Sequence, residues 1–262
     1  MSQILRVAVD ADNMLGRQFT ELERHNLPFA IVQACNATAF EIRETWKRTA
    51  PRVFDRPTRM TVNAAQYRKA TRDRLYAEVF IRDEAHKGTP PSKYLFPQVE
   101  GGERTAKGME RLLMSKGAMP QGMFAVPGKG VELDAHGNVR AGQVRQILSQ
   151  LGAGLESGYV SNESEASRGR RLRRQAKRGD RGGNYFVIKQ KRGRLLPGVY
   201  ERLVTGFGSG VRSIFVFVRS VRYRQRFDIY GLAQRQWDRL MPFHFRRELQ
   251  KALESSKFRG RG

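Results

Sequence analysis

The 262-residue chain has one cysteine, four histidines and no apolar run approaching the roughly 18 residues that a membrane span requires. A single cysteine excludes an intrachain disulfide, and with it a disulfide-built scaffold. Cys35 falls among apolar residues at helical spacing, which predicts a small buried hydrophobe and not a reactive thiol. His25, His86, His136 and His244 stand apart from one another and from the cysteine, so no metal-ligand spacing occurs. There is no Gly-x-Ser-x-Gly elbow and no Walker motif. Met1 to Asp12 is too short and too acidic for a signal peptide, which predicts assembly in a reducing cytoplasm.

Acidic groups are scarce as well. The 25 Asp and Glu face 49 Lys and Arg, a net charge of +24, and residues 152–262 alone carry +17 of it. A field of this sign favours a polyanionic neighbour: nucleic acid, an acidic protein surface or lipid headgroups.

What is present reads as alternating helix and strand. Ile31, Cys35, Ala39, Ile42 and Trp46 recur at spacings of three and four, which places them on one helical face. Glu41, Arg43, Glu44 and Lys47 fall mostly away from it. Pro28 suits a first helical position with Asn26 as a nearby cap, and Pro51 predicts the stop at Ala50. Segments Arg59–Tyr67 and Arg74–Arg82 read as an antiparallel hairpin turning at Thr71–Asp73, the second with clear alternation of Leu75, Ala77, Val79 and Ile81.

Between Asp83 and Gly102 the Gly- and Pro-rich sequence predicts a long loop. Lys87, Tyr94 and Phe96 are its candidate partner-facing residues. Helices are expected over Arg104–Lys116, closed by Gly117, and over Ala141–Leu151, closed by Gly152. A small hairpin is expected between them, Phe124–Val126 with Val131–Leu133 around Pro127-Gly128-Lys129-Gly130.

From Arg168 to Arg181, eight basic residues stand against one acid, Asp180: Arg168, Arg170, Arg171, Arg173, Arg174, Lys177, Arg178 and Arg181. Like charges at this density, with almost no apolar area nearby, predict a segment that cannot pack by itself. With no interleaved aromatics it suits backbone phosphates or acidic side chains, and gives no basis for base-specific recognition.

Strands return at Tyr185–Ile188, Pro197–Leu203 and Ile214–Val218. Gly206, Gly208 and Gly210 precede a strand and not a helix, so they read as a hairpin loop and not as a phosphate cradle. Tyr230, Ala233, Trp237, Met241, Phe245, Leu249 and Leu253 then continue one helical stripe across Pro242, which predicts a kinked closing helix, or two helices with Pro242 at the first position of the second.

The expected fold is α+β: an antiparallel sheet covered by the N-terminal helix and the kinked C-terminal helix, with long loops and a basic insertion. One domain would combine residues 1–151 and 184–262, with 152–183 as an arginine-rich arm. Asp10 and Asp12, after a short strand at Ile4–Val9, also match the opening of nuclease folds in which carboxylates hold Mg²⁺. That reading needs further carboxylates at the ends of parallel strands, whereas Glu78 is the only acid inside the hairpin that follows. A polar turn leading into a helix from Gly16 to His25 is the simpler expectation.

Several strings carry a family resemblance. Pro28-Phe29-Ala30, Asn36-Ala37-Thr38-Ala39-Phe40, Phe54-Asp55-Arg56-Pro57-Thr58 and Ala77-Glu78-Val79-Phe80-Ile81-Arg82-Asp83-Glu84 resemble the start of minor tail and tail-completion proteins of tailed bacteriophages. Pro197-Gly198-Val199-Tyr200-Glu201-Arg202 and Tyr223-Arg224-Gln225-Arg226-Phe227, with the closing helix, are similar to how such proteins end. The arginine-rich arm lies outside the resemblance. It implies a structural virion protein at the head–tail junction or tail, assembled in the bacterial cytoplasm as a homo-oligomeric ring. Neighbouring neck or tail proteins would be its partners, with DNA phosphate in the channel as a further contact, no membrane, no cofactor, no metal and no catalysis. The alternative from charge alone is a sequence-independent nucleic-acid-binding protein that uses the arm.

Overall fold

The computed structural model describes residues 6–11, 21–86, 88–153, 184–205 and 208–259. The chain is mixed α+β and divides into two compact units, residues 1–102 with 223–262, and residues 103–222. The strands that follow the arm therefore share a unit with the helices that precede it, whereas the sequence reading joined 1–151 and 184–262 in one domain.

In the first unit, β1 (Arg6–Val9), β2 (Ala65–Arg68) and β3 (Ala77–Ile81) form an antiparallel sheet in the order β1-β3-β2. Val79 stands opposite both Val7 and Tyr67. One face is covered by α1 (Glu21–Val53), which also packs along α6 (Ile229–Arg259). The predicted α1 stripe is the core: Cys35, Ala39 and Ile42 are fully enclosed and Trp46 nearly so, against Val9, Ala77, Val79 and Ile81. Ala233, Met241, Phe245 and Leu249 supply the matching stripe of α6, with Trp237 half-buried beside them. Burial at about 25 cal/mol per Å² of apolar surface makes this shared stripe the main source of the unit's stability.

That burial explains why neither proline bounds α1. Pro28 and Pro51 both lie inside it, correcting the expected start and stop. An interior proline costs about 3 kcal/mol, less than the buried stripe contributes. Pro242 is likewise inside the continuous α6.

Two further expectations are corrected. Arg59–Val62 is a helical turn, α2, because Thr58 caps it through its hydroxyl, which accepts the Thr61 N–H at 3.2 Å. The strand is thereby shortened to β2. The expected loop at 83–102 contains α3 (Pro91–Val99), since Pro91 at the first helical position gives up an N–H that would be unbonded anyway.

In the second unit, β5 (Phe124–Pro127), β6 (Asn184–Ile188), β7 (Gly198–Thr205) and β8 (Gly208–Val218) form an antiparallel sheet in the order β5-β8-β7-β6, with β4 (Gly102–Glu103) and β9 (Arg222–Tyr223) at the two crossings between units. The β7–β8 pairing sets Thr205 opposite Gly208, so the two strands form a hairpin with Gly208 and Gly210 on β8, while Gly206 lies outside the described residues. The hairpin expected around Pro127 does not form. β5 pairs with β8, and the Gly128 and Gly130 N–H groups donate to the Ile214 and Ser213 carbonyls at 2.8 Å. A Cβ on Gly128 would collide with Ser213, which fixes glycine there.

Helices α4 (Gly108–Ser115) and α5 (Ala141–Gln150) both end as expected in glycines with positive φ, Gly117 and Gly152. In each, the residue after the glycine bonds back toward the last turn, Ala118 to Leu113 and Ala153 to Leu148. α4 starts later than the expected Arg104, because the Glu110 carboxylate accepts the Lys107 N–H at 2.6 Å and fixes Lys107 as the cap.

Candidate functional site

The eight basic residues from Arg168 to Arg181 lie outside the described residues, as does Lys87. Tyr94 and Phe96 do not sit on a loop. They belong to α3 and pack half-buried against the core of the first unit, where the Tyr94 hydroxyl meets the Thr61 hydroxyl at 3.1 Å. Burial pushes the Tyr94 phenol above its ordinary pKa.

Of the two aspartates, Asp12 is outside the described residues, and the Asp10 carbonyl accepts the Trp237 indole N–H at 3.0 Å. Among the described residues no three His, Cys, Asp or Glu side chains gather to hold a metal. His86 and His136 are exposed. His244 is buried on α6 with neither ring nitrogen bonded, and burial together with the nearby Arg247 lowers its pKa. Among the described residues no helix is long and apolar enough to cross a membrane.

Cationic groups do converge on the first unit. On the sheet face away from α1, Phe80 sits between Arg6 and Gln66 in register, and Glu78 lies beside Arg68. Glu78 is nearly buried, with guanidinium nitrogens of Arg68, Arg6 and Arg74 at 2.9, 3.4 and 3.8 Å from its carboxylate. Phe80 and Ile81 belong to the wall of an open cleft of about 930 Å³ there, lined by Arg6, Arg68 and Arg82 and also by the carboxylates of Glu78, Asp83 and Glu84.

A second cleft, of about 460 Å³, adjoins it at the β2 edge and shares Gln66, Phe80 and Arg82. Arg43 and Lys47, one helical turn apart on α1, supply its other cations. Asn63, Ala65 and Tyr67 complete the lining, which contains no carboxylate. Arg43 is stacked over Phe40 at 4.9 Å and over Tyr67 at 5.6 Å from guanidinium to ring centre. With the Gln66 amide turned so that its oxygen meets a donor, that oxygen accepts from Arg82 Nε at 3.1 Å and from the guanidinium's outer nitrogen at 2.8 Å. These interactions hold two of the three cations in place.

The sequence placed Arg43 and Lys47 on the solvated side of a helix, which is correct as far as periodicity reaches. Their spacing of four was legible. Their meeting with Arg82 depends on how α1 crosses the sheet, which no local pattern encodes.

The second unit carries two buried ion pairs. Glu110, fully enclosed, receives Arg104 in a fork at 2.7 and 2.5 Å and the Ala125 N–H at 2.7 Å. Burial alone would raise its pKa, but the guanidinium and two backbone N–H groups outweigh that and hold it below the usual range. Glu201 pairs with Arg212 across β7 and β8, beside Tyr185. Both pairs brace the sheet.

No protein-family model, no curated protein and no solved structure matches this chain.

Proposed function

We propose that the chain is a structural virion protein of a tailed bacteriophage that assembles with copies of itself at the head–tail junction or tail, by packing and not by catalysis. Two observations support the reading. The strings that resemble tail-completion and minor tail proteins fall on the elements that build the core, since Ala30 and Ala39 are enclosed on α1 and Ala77, Val79 and Ile81 on β3. The observation that carries assembly is the exposed aromatic surface of the long helices.

Phe29 and Phe40 lie three turns apart on one side of α1, 47% and 42% exposed, and Phe243 on α6 is 54% exposed. On this reading the exposed rings are contacts that a second copy of the chain covers, since the other side of both helices is already taken up by the core. A net charge of +24 adds the need for acidic or phosphate-bearing neighbours, so neck or tail proteins and channel DNA are the partners of this reading.

Light scattering on the purified chain is the test. A defined oligomer, reduced to monomer when Phe29, Phe40 and Phe243 are changed together to Ser, is expected, with the same chain located at the neck or tail of the particle by imaging. A monomer at every concentration, absent from particles, would overturn the reading.

A further inference from the structure

We infer that the cleft between α1 and the β2 edge binds single-stranded nucleic acid through its phosphates, as a site separate from the arginine-rich segment. The inference stands on the cleft alone and does not depend on the virion reading. Arg43, Lys47 and Arg82 line about 460 Å³ with no carboxylate among them. Lys47 and Arg82 have no ion-pair partner among the described residues. Arg43 pairs with the neighbouring Glu44, but its Nε is enclosed without a hydrogen-bond partner. Lys47 and Arg82 leave uncompensated positive charge in the concavity beside the paired Arg43, which an anion offering several oxygens neutralises.

The cations are held ready. Arg43 is fixed by the Phe40 and Tyr67 rings and Arg82 by the Gln66 amide, so little side-chain freedom remains to be given up on binding. The Asn63 and Gln66 amides add uncharged polar groups to the same wall. This is the donor set that suits phosphate oxygens.

The rings decide which phosphate carrier fits. Tyr67 and Phe80 line the cleft, and Phe80 also borders the open sheet face, where Arg6 and Arg68 are already paired with Glu78. A cationic cleft with an aromatic ring, Phe80, in its wall suits a chain with phosphates outside and bases free to stack. A duplex keeps its bases stacked inside, and an acidic polypeptide brings carboxylates without flat rings.

The test uses the full chain with all eight basic residues from Arg168 to Arg181 changed to Ser, so that the arm carries no cation. Anisotropy of a labelled oligothymidylate of about 15 nucleotides reads binding. Binding is expected to persist in that background. Adding Lys47→Ser with Arg82→Ser is expected to weaken it at least about tenfold and to lower the salt slope by roughly 0.7 for each phosphate no longer neutralised.

Phe80→Ala is expected to weaken the single strand more than a duplex of equal length. Circular dichroism on each variant separates a binding defect from a folding defect. Unchanged affinity in the folded double variant, no binding in the arm-neutralised background, or displacement of the oligonucleotide by poly-glutamate at equal charge would each overturn the inference. A chain that forms rings but fails this test leaves the assembly reading standing.

Discussion

The Trp46 indole N–H donates to the Ile229 carbonyl at 3.0 Å, joining the N-terminal helix to the first residue of the C-terminal one across most of the chain. Trp46 is 1% exposed and Ile229 fully buried, so the bond lies in a dry core. A carbonyl in the first turn of a helix is normally committed to the helix itself. Its second lone pair is what the indole uses.

Trp46→Ala therefore removes both ring volume and bond, with an expected destabilisation of about 3–5 kcal/mol. Trp46→Phe keeps most of the volume but leaves the carbonyl without that donor, and is expected to cost about 1–3 kcal/mol. Urea unfolding followed by circular dichroism reads both. A cost near zero for Trp46→Ala would remove α1 as the organising element of its unit.

Trp46 also shows what was legible beforehand. Ile31 to Trp46 and Ala233 to Leu249 were readable because spacings of three and four survive whatever the helices pack against. Pro28 and Pro51 misled because a local penalty was read without the burial that outweighs it. Pro90-Pro91 suggested a loop, although the same proline opens α3, and the choice rests on Leu95 and Val99 finding a core. β5 was placed with the wrong partner since Pro127-Gly128-Lys129-Gly130 reads as a turn, whereas its glycines are needed for close approach to Ser213. Of the site, the charge was visible and the arrangement was not. Arg43 and Lys47 look like a solvated face until Arg82 is folded against them.

Glu110 sets an acid-side limit on the second unit. Its pKa is held below the ordinary carboxylate value of about 4.3, so its contribution is complete above that pH and disappears as pH falls through the lower folded value. Stability measured from pH 6 down to pH 2 should fall more steeply in the natural chain than in Glu110→Gln. At neutral pH, Glu110→Ala is expected to cost about 3–5 kcal/mol because it strands the Arg104 guanidinium in a buried site. Parallel pH profiles for the natural chain and Glu110→Gln would show that the pair contributes nothing of the kind.

Two glycines in the same unit should respond in opposite senses to alanine. Gly198 lies on β7 where a Cβ would strike the Phe215 carbonyl of β8, so Gly198→Ala is expected to destabilise by roughly 1–3 kcal/mol. Gly142 is in the first turn of α5 with nothing near its missing Cβ, and Gly142→Ala is expected to stabilise by up to about 1 kcal/mol. Thermal unfolding of the two variants side by side tests the β7–β8 pairing and the α5 boundary together. Equal shifts of one sign would contradict both.

The segment from Arg168 to Arg181 sets eight basic groups against one acid. A run this dense in charge and this poor in apolar residues has little to contribute to a core, so changing Arg170, Arg171, Arg173 and Arg174 together to Ser should leave the stability of the chain within about 0.5 kcal/mol. Assembly or genome retention should nevertheless be impaired, because four guanidiniums that can each grip a phosphate or carboxylate in a fork are gone. If the partner is duplex DNA, each phosphate left without its arginine lowers the salt slope of binding by roughly 0.9, so four would flatten it by several units. If the partner is an acidic protein face, DNA affinity should change little while incorporation into particles drops. Replacing the four with Lys separates the cases again, since lysine keeps the charge that DNA reads but lacks the planar fork that favours carboxylates. Particles that assemble and package normally with the Ser variant would reduce the segment to a solvated insertion.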